Sequence, residues 1–166
     1  MTSLTFPGAG LSLGITYLNL RPWWKGGRKW KDLMPFAGAF LLGAVSTMCV
    51  GGLLGLLAGC SAVGVNTAGD KAVGGATGQH SGALAHGSLG ALTPDGAVVV
   101  FLATVAAAAA WKAASKGDQR RMLGGVVCGA SLTLTAGVAG ALHWLPAAVN
   151  MLGVSGRTLL EGGGIL

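Results

Sequence analysis

Apolar residues in this chain are gathered into three long stretches, and short segments between them hold nearly all of the charge. Residues 33–69, 96–111 and 122–156 contain no charged side chain. A helix needs roughly 20 mostly apolar residues to cross the hydrocarbon core of a bilayer. Because these stretches show no strict alternation of apolar and polar positions, they indicate helices and not strands.

This pattern predicts an all-α membrane protein with three transmembrane helices and a long Gly-rich loop between the first and the second. The predicted segments are an N-terminal arm with a basic, Trp-containing interfacial part (1–32), transmembrane helix 1 (33–63), the Gly-rich extracytoplasmic loop (64–95), transmembrane helix 2 (96–114), a basic cytoplasmic loop (115–121), transmembrane helix 3 (122–149) and a short tail (150–166). The second helix is the shortest. Pro94 and Asp95 indicate its start, and Trp111 with Lys112 indicates its end.

Composition strengthens the membrane interpretation. Hydrophobic residues make up 52% of the 166 residues and charged residues only 10%. A typical globular domain is about 25% charged. A water-soluble fold of this size needs a polar surface, and this chain has too few charged residues to build one.

Two segments are strongly basic, 21–32 (RPWWKGGRKWKD) and 112–121 (KAASKGDQRR). Short basic loops mark the cytoplasmic side of a membrane, and tryptophan prefers the headgroup layer. The predicted contacts to the membrane interface, to lipid headgroups or to a lumen are Arg21, Trp23, Trp24, Lys25, Arg28, Lys29, Trp30, Lys31, Trp111, Lys112, Lys116, Arg120 and Arg121. Aromatic residues among basic ones are also found in nucleic-acid-binding surfaces, where the basic groups bind phosphates and the aromatic rings stack on bases. The adjoining apolar stretches favour the membrane, with bound phospholipid and no specific nucleic-acid binding.

Glycines at four-residue spacing predict close contact between helices. Small residues let two helix backbones approach in a membrane. The candidate packing residues are Gly51, Gly55, Gly59, Gly125, Gly129, Gly137 and Gly140. We therefore expect a homo-oligomer, or packing against other subunits of a membrane assembly.

The cysteines offer one motif for modification. The tetrapeptide that ends at Cys60 (LAGC) matches the lipobox of bacterial lipoproteins, so Cys60 is a candidate lipidation site. The other two cysteines fall inside predicted helices, where a thiol usually acts as a small apolar side chain. Their spacings suggest neither a disulfide framework nor a metal site.

The polar residues do not form a recognisable catalytic arrangement. The five acidic residues are scattered near segment ends and loops, and none lies within a predicted span. Ionisable groups within spans are the usual mark of transport or proton relay. We predict no enzymatic activity, no catalytic residue, no metal ligand and no cofactor beyond phospholipid.

Residues 97–149 form an apolar helix, a short basic loop and a second apolar helix. This arrangement resembles the hairpin of conjugative pilins of type IV secretion systems. The resemblance implies that Lys112, Lys116, Arg120 and Arg121 line a lumen or contact lipid headgroups. It suggests a self-associating structural subunit in the bacterial cytoplasmic membrane. If the assembly is a pilus, this subunit would be extruded into a surface filament. The alternatives are a phage-type holin and an accessory subunit of a larger membrane complex.

Overall fold

The computed structural model describes residues 3–162, and these residues fold into seven α-helices. The helices are α1 (Phe6–Lys25), α2 (Trp30–Ser46), α3 (Gly52–Thr77), α4 (Pro94–Ala113), α5 (Lys116–Leu132), α6 (Ala136–Ala141) and α7 (Leu145–Leu160). The prediction of an all-helical protein is thus confirmed for the described part of the chain. Two helices, α3 and α4, are long and apolar enough to cross a membrane by length and composition.

The predicted first transmembrane helix, 33–63, is interrupted in the structure at residues 47–51. The hydroxyl of Thr47 donates to the carbonyl of Ala44 at the end of α2. Gly51 and Gly52 then adopt φ values of 87° and 69°, which favour glycine because a side chain would strain this conformation. One apolar stretch therefore contains two helices.

The predicted third transmembrane helix, 122–149, contains two breaks. The hydroxyl of Thr133 donates to the carbonyl of Gly129 as α5 ends. Thr135 caps the start of the short helix α6, and Pro146 occupies the first turn of α7. Ser and Thr side chains compete for backbone groups, and proline lacks an N–H, so both favour helix ends. The single continuous helix predicted here is wrong.

The predicted loop and N-terminal arm are also partly helical. The loop prediction for 64–95 is wrong over residues 64–77, which complete α3, while 78–93 form the non-helical linker. Residues 6–20 of the N-terminal arm belong to α1, whose first turn is capped by Thr5. In contrast, α4 matches the predicted second span, 96–114, closely.

Helices α2 and α5 form the centre of the molecule and run in the same direction. Near their N-terminal ends, the Arg121 guanidinium donates to the carbonyl of Asp32 at 3.2 Å. Further along, Gly125 faces Phe36 and Ala39. The N-terminal ends of α2 and α5 thus lie side by side, and so do the middle parts of the two helices.

Helix α1 lies against α5 in the opposite direction. Ser12 Oγ is 2.7 Å from Ser131 Oγ near the C-terminal end of α5, whereas Asn19 faces Gly124 nearer its start. The start of α1 therefore lies at the same end of the molecule as the C-terminal ends of α2 and α5. The N-terminal ends of α2 and α5 mark the other end, which we call the basic end for the residues described below.

Candidate functional site

The contact between α2 and α5 is made by glycines at matching positions. Counted from the first residue of each 17-residue helix, Gly43 and Gly129 occupy the same place. A Cβ added to Gly129 would overlap the carbonyl oxygen of Phe40, and one added to Gly43 would overlap that of Val126. The helix backbones touch directly there, as small residues permit.

A cap joins the start of α1 to the middle of α3. The backbone N–H of Thr5 donates to Asn66 Oδ1 at 2.9 Å, and Asn66 Nδ2 donates to the carbonyl of Ser3 at 2.9 Å. Thr5 Oγ1 in turn accepts from the N–H of Gly8. Gly69 completes the contact, since an added Cβ would lie 2.6 Å from the carbonyl carbon of Pro7.

The same cap occurs a second time, between α4 and α7. The N–H of Thr93 donates to Asn150 Oδ1 at 3.0 Å, and Thr93 Oγ1 accepts from the N–H of Gly96 at 3.1 Å. A Cβ on Gly153 would lie 2.6 Å from the nitrogen of Gly96. Each cap satisfies helix N–H groups that have no partner within their own helix.

The two caps identify two repeated halves. The first half contains α1, α2 and α3, and the second contains α4, α5 and the broken pair α6–α7. Leu-Thr-x-x-Gly-Ala occurs at 4–9 and 92–97, and Val-Asn-x-x-Gly occurs at 65–69 and 149–153. Since α2 and α5 run in the same direction, the two halves have a parallel and not an inverted arrangement. Such parallel repeats are found in membrane proteins.

This repeat was not predicted above, although both motifs are visible in the sequence. A search for internal similarity would have found them. Among the predicted packing residues, Gly125 and Gly129 lie in the α2–α5 contact, and Gly55 lies against the carbonyl of Cys49. Gly51 precedes α3. The remaining three, Gly59, Gly137 and Gly140, border open space.

The structure brings the two predicted basic segments to one end of the molecule. Nine of the eleven Lys and Arg residues lie there, accompanied by Asp32 and Asp118. The basic residues at this end are Arg21, Lys25, Arg28, Lys29, Lys31, Lys112, Lys116, Arg120 and Arg121. This end therefore carries a large positive charge, while the opposite end holds only two basic residues, Lys71 and Arg157.

The tryptophans predicted at the interface lie at the same basic end. Trp23 and Trp24 are close together, with ring centroids 6.5 Å apart. Trp24, Trp30 and Trp111 are exposed. The indole nitrogen of Trp23 is buried without a hydrogen-bond partner among the described residues.

At the opposite end, one cation is held by two carboxylates. Arg157 lies 2.7 Å from Glu161 and 3.6 Å from Asp95, just after the second cap. The hydrogen bond that Arg157 donates to Glu161 and the charge of Asp95 raise the pKa of Arg157 above its ordinary value. Because the group is exposed, this ion pair contributes little to stability.

Cys60, the candidate lipidation site, lies inside α3 with its side chain exposed. Cleavage before Cys60 would separate α1 and α2 from the rest of the chain. It would thus remove one partner of the α2–α5 contact. In the described residues, no group of three or more His, Cys, Asp or Glu side chains is placed to hold a metal ion.

The exterior of this protein carries many large apolar side chains, unlike that of a typical soluble protein. The largest fully buried side chains are Leu4, Thr133, Cys128, Ser12 and Ser131. By contrast, large apolar side chains are exposed along the outer helices, including Leu13, Tyr17 and Leu18 on α1 and Phe101, Leu102 and Val105 on α4. Large apolar residues thus cover much of the exterior, while the interior combines apolar side chains, such as Phe36 and Met48, with a few small polar ones.

Between α2 and α4 there is an open cavity of about 660 Å³. Its walls are almost entirely apolar, with alanines from α4 on one side and Met34, Gly38 and Leu42 from α2 on the other. Asp118 is its one charged lining residue. Its carboxylate accepts from Ser115 Oγ at 2.8 Å and lies 3.6 Å from Arg121.

Comparisons with family models, with curated proteins and with solved structures found no match for this chain.

Proposed function

We propose that this protein is a non-enzymatic integral membrane protein that self-associates as a structural subunit of a membrane transfer or pilus-like assembly. The observation that carries the membrane part is the large number of apolar side chains exposed along the outer helices. Contiguous exposed apolar surface is rare on soluble monomers and marks interaction with membranes or other proteins. In lipid, helices associate through small residues and interhelical hydrogen bonds, as at Gly43, Gly129 and the Ser12–Ser131 pair.

In the proposed topology, α1, α2, α4 and α5 cross the membrane. Helices α2 and α5 are roughly 25 Å long, but their apolar parts, 33–46 and 122–132, are shorter than a usual span, and the Lys and Arg side chains at their starts would extend to the headgroup layer. Helix α3 is apolar enough to cross but begins soon after α2 ends. The backbone of Leu84, after α3, pairs with Leu4 at the start of α1. Both flanks of α3 thus belong to one end of the bundle, so this continuous helix lies at that end and does not cross.

The distribution of charge gives the orientation. Lys and Arg are enriched on the cytoplasmic side of membrane proteins. The basic end therefore faces the cytoplasm, and the two caps with the linker 78–93 face the other side. Basic residues near an anionic leaflet contribute roughly 1 kcal/mol each, which strengthens this orientation.

The glycine contact supports a structural role over solute transport. Parallel repeats in transporters place the substrate site at the interface between the halves. Here α2 and α5 touch backbone to backbone at Gly43 and Gly129, which leaves no room for a solute between these two central helices. Open-sided glycines on the exterior, such as Gly10 and Gly14 on α1, suit contact with a second copy.

The membrane location predicts resistance to alkaline extraction. We expect the full-length protein to remain in the pellet when membranes are washed with sodium carbonate, because apolar exterior surface keeps it in lipid. Detergent should release it. Recovery of most of the protein in the carbonate supernatant would contradict the proposal.

Self-association is tested separately on detergent-purified protein by light scattering and negative-stain microscopy. We expect rings, filaments or a discrete oligomer. Small monodisperse particles of one chain, together with no cross-linked species in cells, would rule out the structural-subunit proposal. Rapid lysis upon induced expression would favour a holin instead, and co-purification of stoichiometric different chains would favour an accessory subunit.

A further inference from the structure

One difference between the two halves is the groove between an outer helix and a central one. Helix α1 of the first half fills the groove that it forms with α5 of the second half. The Asn19 amide lies close to Gly124, Ile15 packs beside it, and Cys128 Sγ donates to the carbonyl of Ser12 at 3.3 Å. Helix α4 of the second half does not fill the equivalent groove, which it forms with α2 of the first half, and this groove is the open cavity of about 660 Å³.

The repeat explains why that cavity exists. Counted from the capping threonines, Ile15 corresponds to Ala103, and Asn19 corresponds to Ala107. Gly38 on α2 corresponds to Gly124 on α5 and has no neighbour within 4 Å of an added Cβ. The side chains that close the first groove are thus replaced by alanine in the second, and an apolar volume is left open between helices.

We infer that this cavity binds an acyl chain of an anionic phospholipid, whose headgroup lies at the basic end. The inference rests on the proposed membrane location. The walls offer an acyl chain almost only alkyl groups, and the volume falls within the range of ligand pockets, roughly 300–1,000 Å³. Toward the basic end the cavity is lined by Ala114 and Asp118, with Lys112 and Lys116 beside them in sequence.

Charge complementarity selects the headgroup. Basic pockets between helices on the cytoplasmic side favour anionic lipids. Asp118, the acidic group facing this region, is compensated by its contacts with Ser115 and Arg121. Asp32 lies at the same end, among basic residues that outnumber both acids. The net field at the mouth of the cavity therefore attracts a negative phosphate.

The test restores the first half's residues in the second. The double variant A103I/A107N fills the cavity with side chains that the protein already accommodates against Gly124. The A109I control adds the same isoleucine to α4 at an exposed residue that does not line this cavity. Native mass spectrometry of full-length protein in detergent would measure retention of palmitoyl-oleoyl phosphatidylglycerol, and of phosphatidylcholine with the same chains.

We expect wild type and A109I to retain one phosphatidylglycerol, and A103I/A107N to lose about tenfold in affinity. Phosphatidylcholine should bind more weakly than phosphatidylglycerol to the wild type. If A103I/A107N does not fold, K112Q/K116Q supplies the second variant and should lower phosphatidylglycerol affinity roughly tenfold while leaving the cavity open. Equal retention by wild type and A103I/A107N, or equal binding of both lipids, would overturn the inference. A protein that resists carbonate but gives either result would still fit the proposed function.

Discussion

Replacing Gly129 with alanine is expected to destabilise the protein by about 2–3 kcal/mol, the range for overpacking a close contact. The added methyl group would meet the backbone of Phe40 on α2, which cannot move without shifting the whole helix. Gly43→Ala should have a similar effect, because its methyl group would meet the backbone of Val126. Thermal unfolding in detergent, followed by circular dichroism, would show a transition lowered by roughly 4–12 °C for a chain of this size.

The matched control for this prediction is Gly38→Ala, on the same helix as Gly43. Gly38 has open space around an added Cβ, and alanine is a better helix former than glycine by roughly 1 kcal/mol. This substitution should therefore leave stability unchanged or raise it. Stabilisation by Gly129→Ala equal to that by Gly38→Ala would show that α2 and α5 do not touch at this point.

Asn66→Ala is expected to cost about 2–3 kcal/mol, because it leaves the N–H of Thr5 and the carbonyl of Ser3 without their partners. Asn150→Ala should cost less, since the equivalent cap around Thr93 is exposed to solvent. Both losses should appear as a lower transition temperature in the same unfolding experiment.

The control for the caps is Asn19→Ala. The Asn19 amide donates to the carbonyl of Ile15 within its own helix, and it packs against Gly124 of α5 without a hydrogen bond to a second helix among the described residues. We expect a smaller loss than for Asn66. If Asn19→Ala and Asn66→Ala destabilised equally, the link between α1 and α3 would have no special importance.

The helices were largely predictable because long apolar stretches are typical of segments that are buried in lipid or in protein. The second span matches α4 since Thr93, Pro94 and Asp95 together signal its start. The breaks at 47–51 and 133–135 were not predictable from hydropathy, because Gly, Ser and Thr are tolerated within apolar helices. Here they end helices through positive φ values and through hydroxyls that bond backbone carbonyls.

The candidate site was less predictable than the helices. The clustering of both basic segments followed from the alternation of apolar and basic stretches. Asn66 and Asn150 gave no local signal, because each caps a helix that is distant in sequence. Only the comparison of one half of the chain with the other reveals them, and the notable difference between the halves is the alanine-lined cavity.

The central claim, that both halves cross the membrane in the same direction with the basic end inside, is tested most directly by cysteine accessibility. In a variant with Cys49, Cys60 and Cys128 replaced, single cysteines would be placed at Ser3, Lys29, Gln79 and Lys116. A membrane-impermeant maleimide on intact cells should label Ser3→Cys and Gln79→Cys, and should reach Lys29→Cys and Lys116→Cys only after permeabilisation. Labelling of Lys29→Cys and Lys116→Cys from opposite sides, or of Ser3→Cys from the same side as Lys29→Cys, would contradict the account.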